Sequence, residues 1–140
     1  MTGGTPATVL AFDFGLRNIG VATGQAITHT ASEVTTLRAR DGVPDWNAID
    51  ALIHEWQPSV LLVGLPLNMD ATMSEMAKRA SRFARRLGAR YGIAVELVDE
   101  RLTSFEARGL SNDLDEQHAV AARLIAESFL RGPERPDQRR

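Results

Sequence analysis

Asp13 closes the apolar run Val9-Leu-Ala-Phe-Asp13, and a second apolar run, Ile19-Gly-Val-Ala22, follows after a short turn. Apolar runs bounded by glycine read as strands, and two of them joined by a short turn read as a hairpin. The carboxylate then stands at the mouth of a sheet, where a metal or phosphate site would be built; the plain alternative is that it only closes the turn by accepting backbone N–H bonds. A second group of acids, Asp99-Glu100, ends the run Ile93-Ala-Val-Glu-Leu-Val98 and precedes Arg101. His118 heads an apolar stripe that continues through Ala122, Ile125 and Phe129. The chain has no cysteine, which excludes disulfide frameworks, thiolate zinc sites and cysteine nucleophiles, so carboxylates are the chemistry on offer.

The elements that must position these groups alternate along the chain. Strands are expected near residues 8–14 and 18–24 and within Ala31–Leu37, as a meander. Asp41-Gly-Val-Pro44 breaks the chain, and Asp45 caps a helix with Trp46, Ile49, Leu52, Ile53 and Trp56 on one stripe, stopped before Pro58. Ser59-Val-Leu-Leu-Val-Gly64 is apolar on both faces, the pattern of a central parallel strand. Leu65-Pro-Leu-Asn68-Met-Asp70 turns at its end, and a long helix is expected from about Ala71 to Tyr91. Met73, Met76, Ala80, Phe83, Ala84 and Leu87 form its inward stripe, while Arg79, Arg82, Arg86 and Arg90 make a ridge on another face. That ridge either holds a phosphate backbone or is a solvated face. Leu102–Arg108 reads as a short helix, and a final helix runs from about Asp113 to Leu130, ended by Gly132-Pro133.

A meander followed by strand, helix, strand and helix gives an α/β fold, a mixed central sheet of antiparallel meander plus parallel strands flanked by helices, as in the ribonuclease H-like architecture. In that arrangement Asp13, Glu100 and His118 can meet at one edge of the sheet. The 140 residues fit a single domain, 1–132, followed by a polar tail, 133–140, expected to be loose. No apolar stretch is long enough to span a bilayer, and the first residues lack the regions of a signal peptide, so the chain is expected to stay in the cytoplasm. The net charge of -2 hides a clustering of cations, because 15 of the 16 basic residues are arginine, which suits phosphate forks.

Four segments carry a resemblance that covers nearly the whole chain. Asp13-Phe-Gly-Leu-Arg-Asn-Ile-Gly-Val-Ala, Val63-Gly-Leu-Pro-Leu-Asn-Met-Asp70, Asp99-Glu-Arg-Leu-Thr103 and Ala119-Val-Ala-Ala-Arg-Leu-Ile-Ala-Glu-Ser-Phe-Leu130 look like the motifs of the YqgF (RuvX) family, in the same order. The resemblance implies a ribonuclease H-like, metal-dependent nuclease of the bacterial cytoplasm, with a role in 5′-end maturation of pre-16S rRNA or as a Holliday junction resolvase. It assigns metal-binding acids to Asp13, to Glu100 and to an Asp opening the last helix, and that last position falls on His118. Either His118 replaces the acid as a ligand or base, or Asp115, three residues earlier and on nearly the same helix face, takes or shares the role, or the site is impaired.

In a working site, Mg²⁺ or Mn²⁺ between these groups would activate water on one side of a phosphodiester and stabilise the leaving oxygen on the other. Mg²⁺ favours oxygen donors, whereas Mn²⁺ accepts an imidazole. Arg17 and Arg101 are candidates to neutralise phosphate charge and Asn68 to hydrogen-bond the substrate backbone; ordinary surface pairing is their alternative. The expected partner is nucleic acid, either precursor rRNA or branched DNA, bound through phosphates without base reading. A junction would suit a homodimer and a single cut in RNA needs only a monomer. Two other classes share parts of the pattern: a binding module of the same fold that has lost cleavage, and a phosphotransfer ATPase, which would need a second lobe.

Overall fold

The structure, a computed structural model, describes residues 8–100 and 114–132, with side chains of the second segment from Gln117 onward. Six strands form one sheet in the order β4-β3-β2-β1-β5-β6. β1 (Thr8–Asp13), β2 (Asn18–Gln25) and β3 (Thr30–Arg40) are an antiparallel meander, extended by the two-residue β4 (Val43–Pro44). β5 (Val60–Leu65) lies parallel to β1, and β6 (Ala94–Asp99) lies parallel to β5. The mixed sheet expected from the order of apolar runs is thus the one observed.

Among the described residues three helices cover both faces, as the two-sided burial of β5 requires. α1 (Trp46–Trp56) and α2 (Glu75–Tyr91) pack on one face, where Leu10, Phe12, Leu61 and Val63 meet Ile49, Phe83 and Leu87. α3 (Leu114–Arg131) packs on the other, where Val9, Ala11 and Leu62 meet Ile125 and Ala126. Strand residues alternate between faces, so Val9, Ala11 and Asp13 look towards α3, while Leu10, Phe12 and Phe14 look towards α1 and α2.

Local chemistry sets the element ends. The Asp45 side chain accepts the Asn47 N–H at 3.0 Å to start α1, and Gln57 ends it in the left-handed region before Pro58. α2 begins at Glu75, later than the expected Ala71, because the turn persists. Asp70 accepts the Thr72 N–H, Ala71 has a φ of 71°, and Ser74 caps the helix by accepting the Ala77 N–H. Met73 therefore falls before the helix and is exposed, Met76 is only half-buried, and Ala77 takes the inward position. The stretch Asp41–Pro44 also departs from expectation, since it is a hairpin rather than a simple break. Asp41 and Gly42 have φ of 50° and 82°, the pair of positive angles of a type I′ turn, and Arg40 pairs with Val43 across it. The expected short helix at Leu102–Arg108 and the tail 133–140 lie outside the described residues.

Candidate metal and nucleic-acid site

β1 delivers Asp13 to the end of the sheet, directly across from Gly20 of β2. A Cβ on Gly20 would run into the carbonyl of His118, so only glycine lets the first turns of α3 lie against the strand at this point. That close approach brings the His118 imidazole beside Asp13, with Nδ1 3.4 Å from Oδ2. The Asp13 side chain is 11% exposed and that of His118 30%, so the pair sits at a half-open edge.

Glu100 follows the last residue of β6 and must reach past β5 to approach β1. A second glycine clears the way: a Cβ on Gly64 would lie 2.9 Å from Glu100 Oε2. The Glu100 carboxyl, itself buried, hydrogen-bonds to the carboxyl of Asp13. Burial is the largest influence on both groups. It pushes Asp13 up to about 6, opposed by the hydrogen bond from Glu100. It pushes Glu100 up to about 9, helped by the charge of Asp13 and by their hydrogen bond and opposed by His118. The pair therefore titrates together and holds a shared proton above the ordinary carboxyl range.

Two carboxyls forced into contact away from water fit a divalent cation, which would supply the countercharge that the shared proton now supplies. The donor set of oxygens plus one imidazole nitrogen suits Mn²⁺ and, through the carboxylates, Mg²⁺. Among the described residues no three His, Asp or Glu side chains form a closed ligand cluster, so the fit rests on the carboxyl pair with His118 at its side. Asp115 lies on α3 one turn before His118, and its side chain is outside the described residues.

Of the candidate phosphate contacts, Arg17 is exposed in the turn after Asp13, which is pinned to β3 by the Ala39 N–H donating to the Arg17 carbonyl at 2.8 Å. Asn68 shapes its own loop, with Nδ2 donating to Thr72 Oγ1 at 3.0 Å. Arg101 is outside the described residues. The arginine ridge of α2 divides. Arg90 forks onto Asp50 at 3.0 and 2.9 Å and lies over the Trp46 ring, which ties α2 to α1. Arg79 reaches Asp41 at 3.4 Å, while Arg82 and Arg86 have no ion pair or hydrogen bond among the described residues. Sequence reasoning missed Gly20 and Gly64, whose only signal is a residue with no side chain inside a run of buried apolar ones.

The geometry can be set beside known proteins. The family model described as "RuvX: Holliday junction resolvase" matches residues 7–132. The chain belongs to the RuvX family. A relative from Azotobacter vinelandii, named "Putative pre-16S rRNA nuclease", is 50% identical over 139 residues, 94% of this chain and 96% of its own. One of the same name from Marinobacter nauticus is 58% identical over 132 residues, 88% of this chain and 92% of its own. Among solved structures, Thermus thermophilus RuvC in complex with a Holliday junction substrate aligns with a TM-score of 0.53 at 12% identity, covering 90% of this chain and 96% of that one. The yeast mitochondrial Holliday junction resolvase aligns with a TM-score of 0.52 at 10% identity, covering 88% and 77%. At such identities the likeness is one of fold alone, and the fold is the ribonuclease H-like one.

Proposed function

We propose that this RuvX-family chain is a metal-dependent nuclease that hydrolyses phosphodiester bonds, acting in 5′-end maturation of pre-16S rRNA in the cytoplasm. The observation that carries the reading is the buried contact between Asp13 and Glu100, delivered by separate strands to one sheet end beside His118. A stability role would not require two acids to be desolvated together, because such a pair costs free energy unless a countercharge joins it. The names of the full-length relatives support RNA processing as the setting.

In this reading Asp13 and Glu100 hold divalent metal, with His118 or Asp115 completing the ligand set. Bound there, the metal supplies the positive charge that activates water and stabilises the leaving oxygen. Glu100 would give up its proton as the site fills, and the strand ends hold the two carboxyls in place, β1 through the pairing of Asp13 with Gly20 and β6 through the pairing of Asp99 with Leu65. A half-exposed His118 can instead accept a proton from the attacking water. Arg17 and Arg101 neutralise phosphate charge, and Asn68 contacts the substrate backbone. The domain 1–132 works as a monomer or as a homodimer.

The family description favours a second reading, resolution of branched DNA. Purified protein is to be incubated with an RNA spanning the 5′ precursor end of 16S rRNA and with a synthetic four-way junction, each with Mg²⁺ and with Mn²⁺. Cleavage of the RNA that Asp13→Asn abolishes supports the first reading, and cleavage of the junction alone supports the second. Binding without cleavage under every condition means a module of this fold that has lost hydrolysis, and overturns both.

A further inference from the structure

Beside the acid pair, on the opposite face of the same sheet end, lies a cleft of about 250 Å³. Arg79, Arg82 and Arg86 of α2 form one wall, the Asp41 turn of the β3–β4 hairpin forms the other, and Phe14 and Trp46 line it between them. Its charge is lopsided, with three guanidinium groups against the single carboxylate of Asp41. Arg79 is already engaged by that carboxylate, but Arg82 and Arg86 are exposed and unpaired among the described residues. An ordinary solvated helix face pairs its cations with acids one turn away or on a neighbouring helix, the second as Arg90 does with Asp50 of α1. Here Phe83 of the same turn is spent on the core, packed against Phe12, Phe14 and Trp46, and the neighbouring α2 positions offer Arg82 and Arg86 no acid.

We propose that this cleft is a second nucleic-acid contact, in which Arg82 and Arg86 hold phosphates of the substrate strand that flank the bond presented to Asp13 and Glu100. The chain itself measures the proximity, because Phe14 lines the cleft and is the residue after Asp13. A strand lying over the sheet end passes from one face to the other around β1. From Arg79 to Arg86 the helix rises by roughly 10 Å, at about 1.5 Å per residue, enough to follow more than one phosphate. The wall is also held in place. Gly42 lets the hairpin turn sit against Phe14, where a Cβ would come within 2.9 Å of the ring, and its N–H donates to the Leu16 carbonyl at 2.9 Å. The forked guanidinium recognises phosphate through charge and paired hydrogen bonds and carries no base preference.

This inference rests on the nuclease reading for its placement, and the test separates the two. Asp13→Asn protein, alone and with Arg82→Ala and Arg86→Ala added, is titrated against fluorescent precursor RNA across a salt series. The expected result is an affinity loss of about tenfold or more and a salt slope smaller by about 1.4, the change for two lost contacts to a single strand. Arg82→Lys with Arg86→Lys is expected to restore most of the slope, and melting temperatures are expected to stay level, since both residues are exposed. With the acids intact, the double alanine variant is expected to need about tenfold more protein to reach half-maximal cleavage of the RNA. An unchanged affinity and slope overturns the cleft, whether or not the wild type cleaves. Loss of affinity and slope in a protein that cleaves nothing leaves the cleft standing and overturns the nuclease reading. A reduced rate at saturation would place the arginines at the reacting phosphate and overturn the cleft as a separate contact.

Discussion

Asp13 and Glu100 pay for their position in protonation equilibria. Both carboxyls are raised above their ordinary values by burial, so each binds protons more tightly folded than unfolded. Their contribution to stability is therefore full below the ordinary carboxyl range and is lost as pH rises through the raised values, from about 4 to about 9. Metal-free protein is expected to melt at progressively lower temperature across that window, by roughly 3–5 °C for each kcal/mol lost. Glu100→Gln is expected to flatten the profile, and calorimetry in chelator at a series of pH values measures it. The same variant is expected to lose cleavage by a factor of about 100 or more, because a carboxamide supplies no countercharge to a dication. An equal pH profile for wild type and variant would show that the pair does not share its proton.

At the scale of elements, the site depends on two positions with no side chain. Gly20→Ala would drive a methyl group into the His118 backbone, and the contact atoms are main chain, so the helix itself must move. The expected cost is about 1–3 kcal/mol of stability, as for other overpacked cores, and a weaker manganese affinity as His118 leaves Asp13. Gly64→Ala meets the ends of the Ile125 and Glu100 side chains, which can swing, so cleavage is expected to fall more than stability does. Thermal melts and activity on each variant distinguish the two patterns. These glycines mark the boundary of what was legible. Strand ends placed Asp13 and Glu100, and the start of the last helix placed His118, at one edge because hydrophobic period and turn residues are local signals, and the Asp45 cap was equally plain. A glycine needed for the approach of a helix distant in sequence has no local signature. The Asp41-Gly42 turn did have one, since that dipeptide favours type I′ hairpins, but reading it as a break hid the wall of the arginine cleft. The start of α2 slipped because Ala71 takes a left-handed φ of 71° and the Ser74 side chain accepts the Ala77 N–H that an earlier helix would have given to a carbonyl.

For the whole molecule, metal and stability should be linked. Mn²⁺ at about a hundred times its dissociation constant is expected to stabilise the folded protein by roughly 2.7 kcal/mol. The effect is expected to grow with pH, because the ion competes with the proton held by the acid pair. Differential scanning calorimetry with and without Mn²⁺ at about pH 6 and about pH 8 checks this, and an equal shift at both would argue against binding at Asp13 and Glu100. The net charge of -2 also conceals a division of labour, with the buried acids on the α3 side of the sheet and, on the α2 side, arginines that are unpaired among the described residues. No described helix is long and apolar enough to cross a membrane.

Because successive residues of β1 face opposite ways, the carboxyl of Asp13 and the ring of Phe14 are an odd-and-even pair. A one-residue slip of β1 against its neighbours would exchange them, turning the acid towards the guanidinium wall and the phenyl group towards Glu100. A slip of two would preserve the parity. Slips of this strand should therefore be tolerated only in twos, and the β2–β3 turn, at the far end of the sheet, borders neither face of the site.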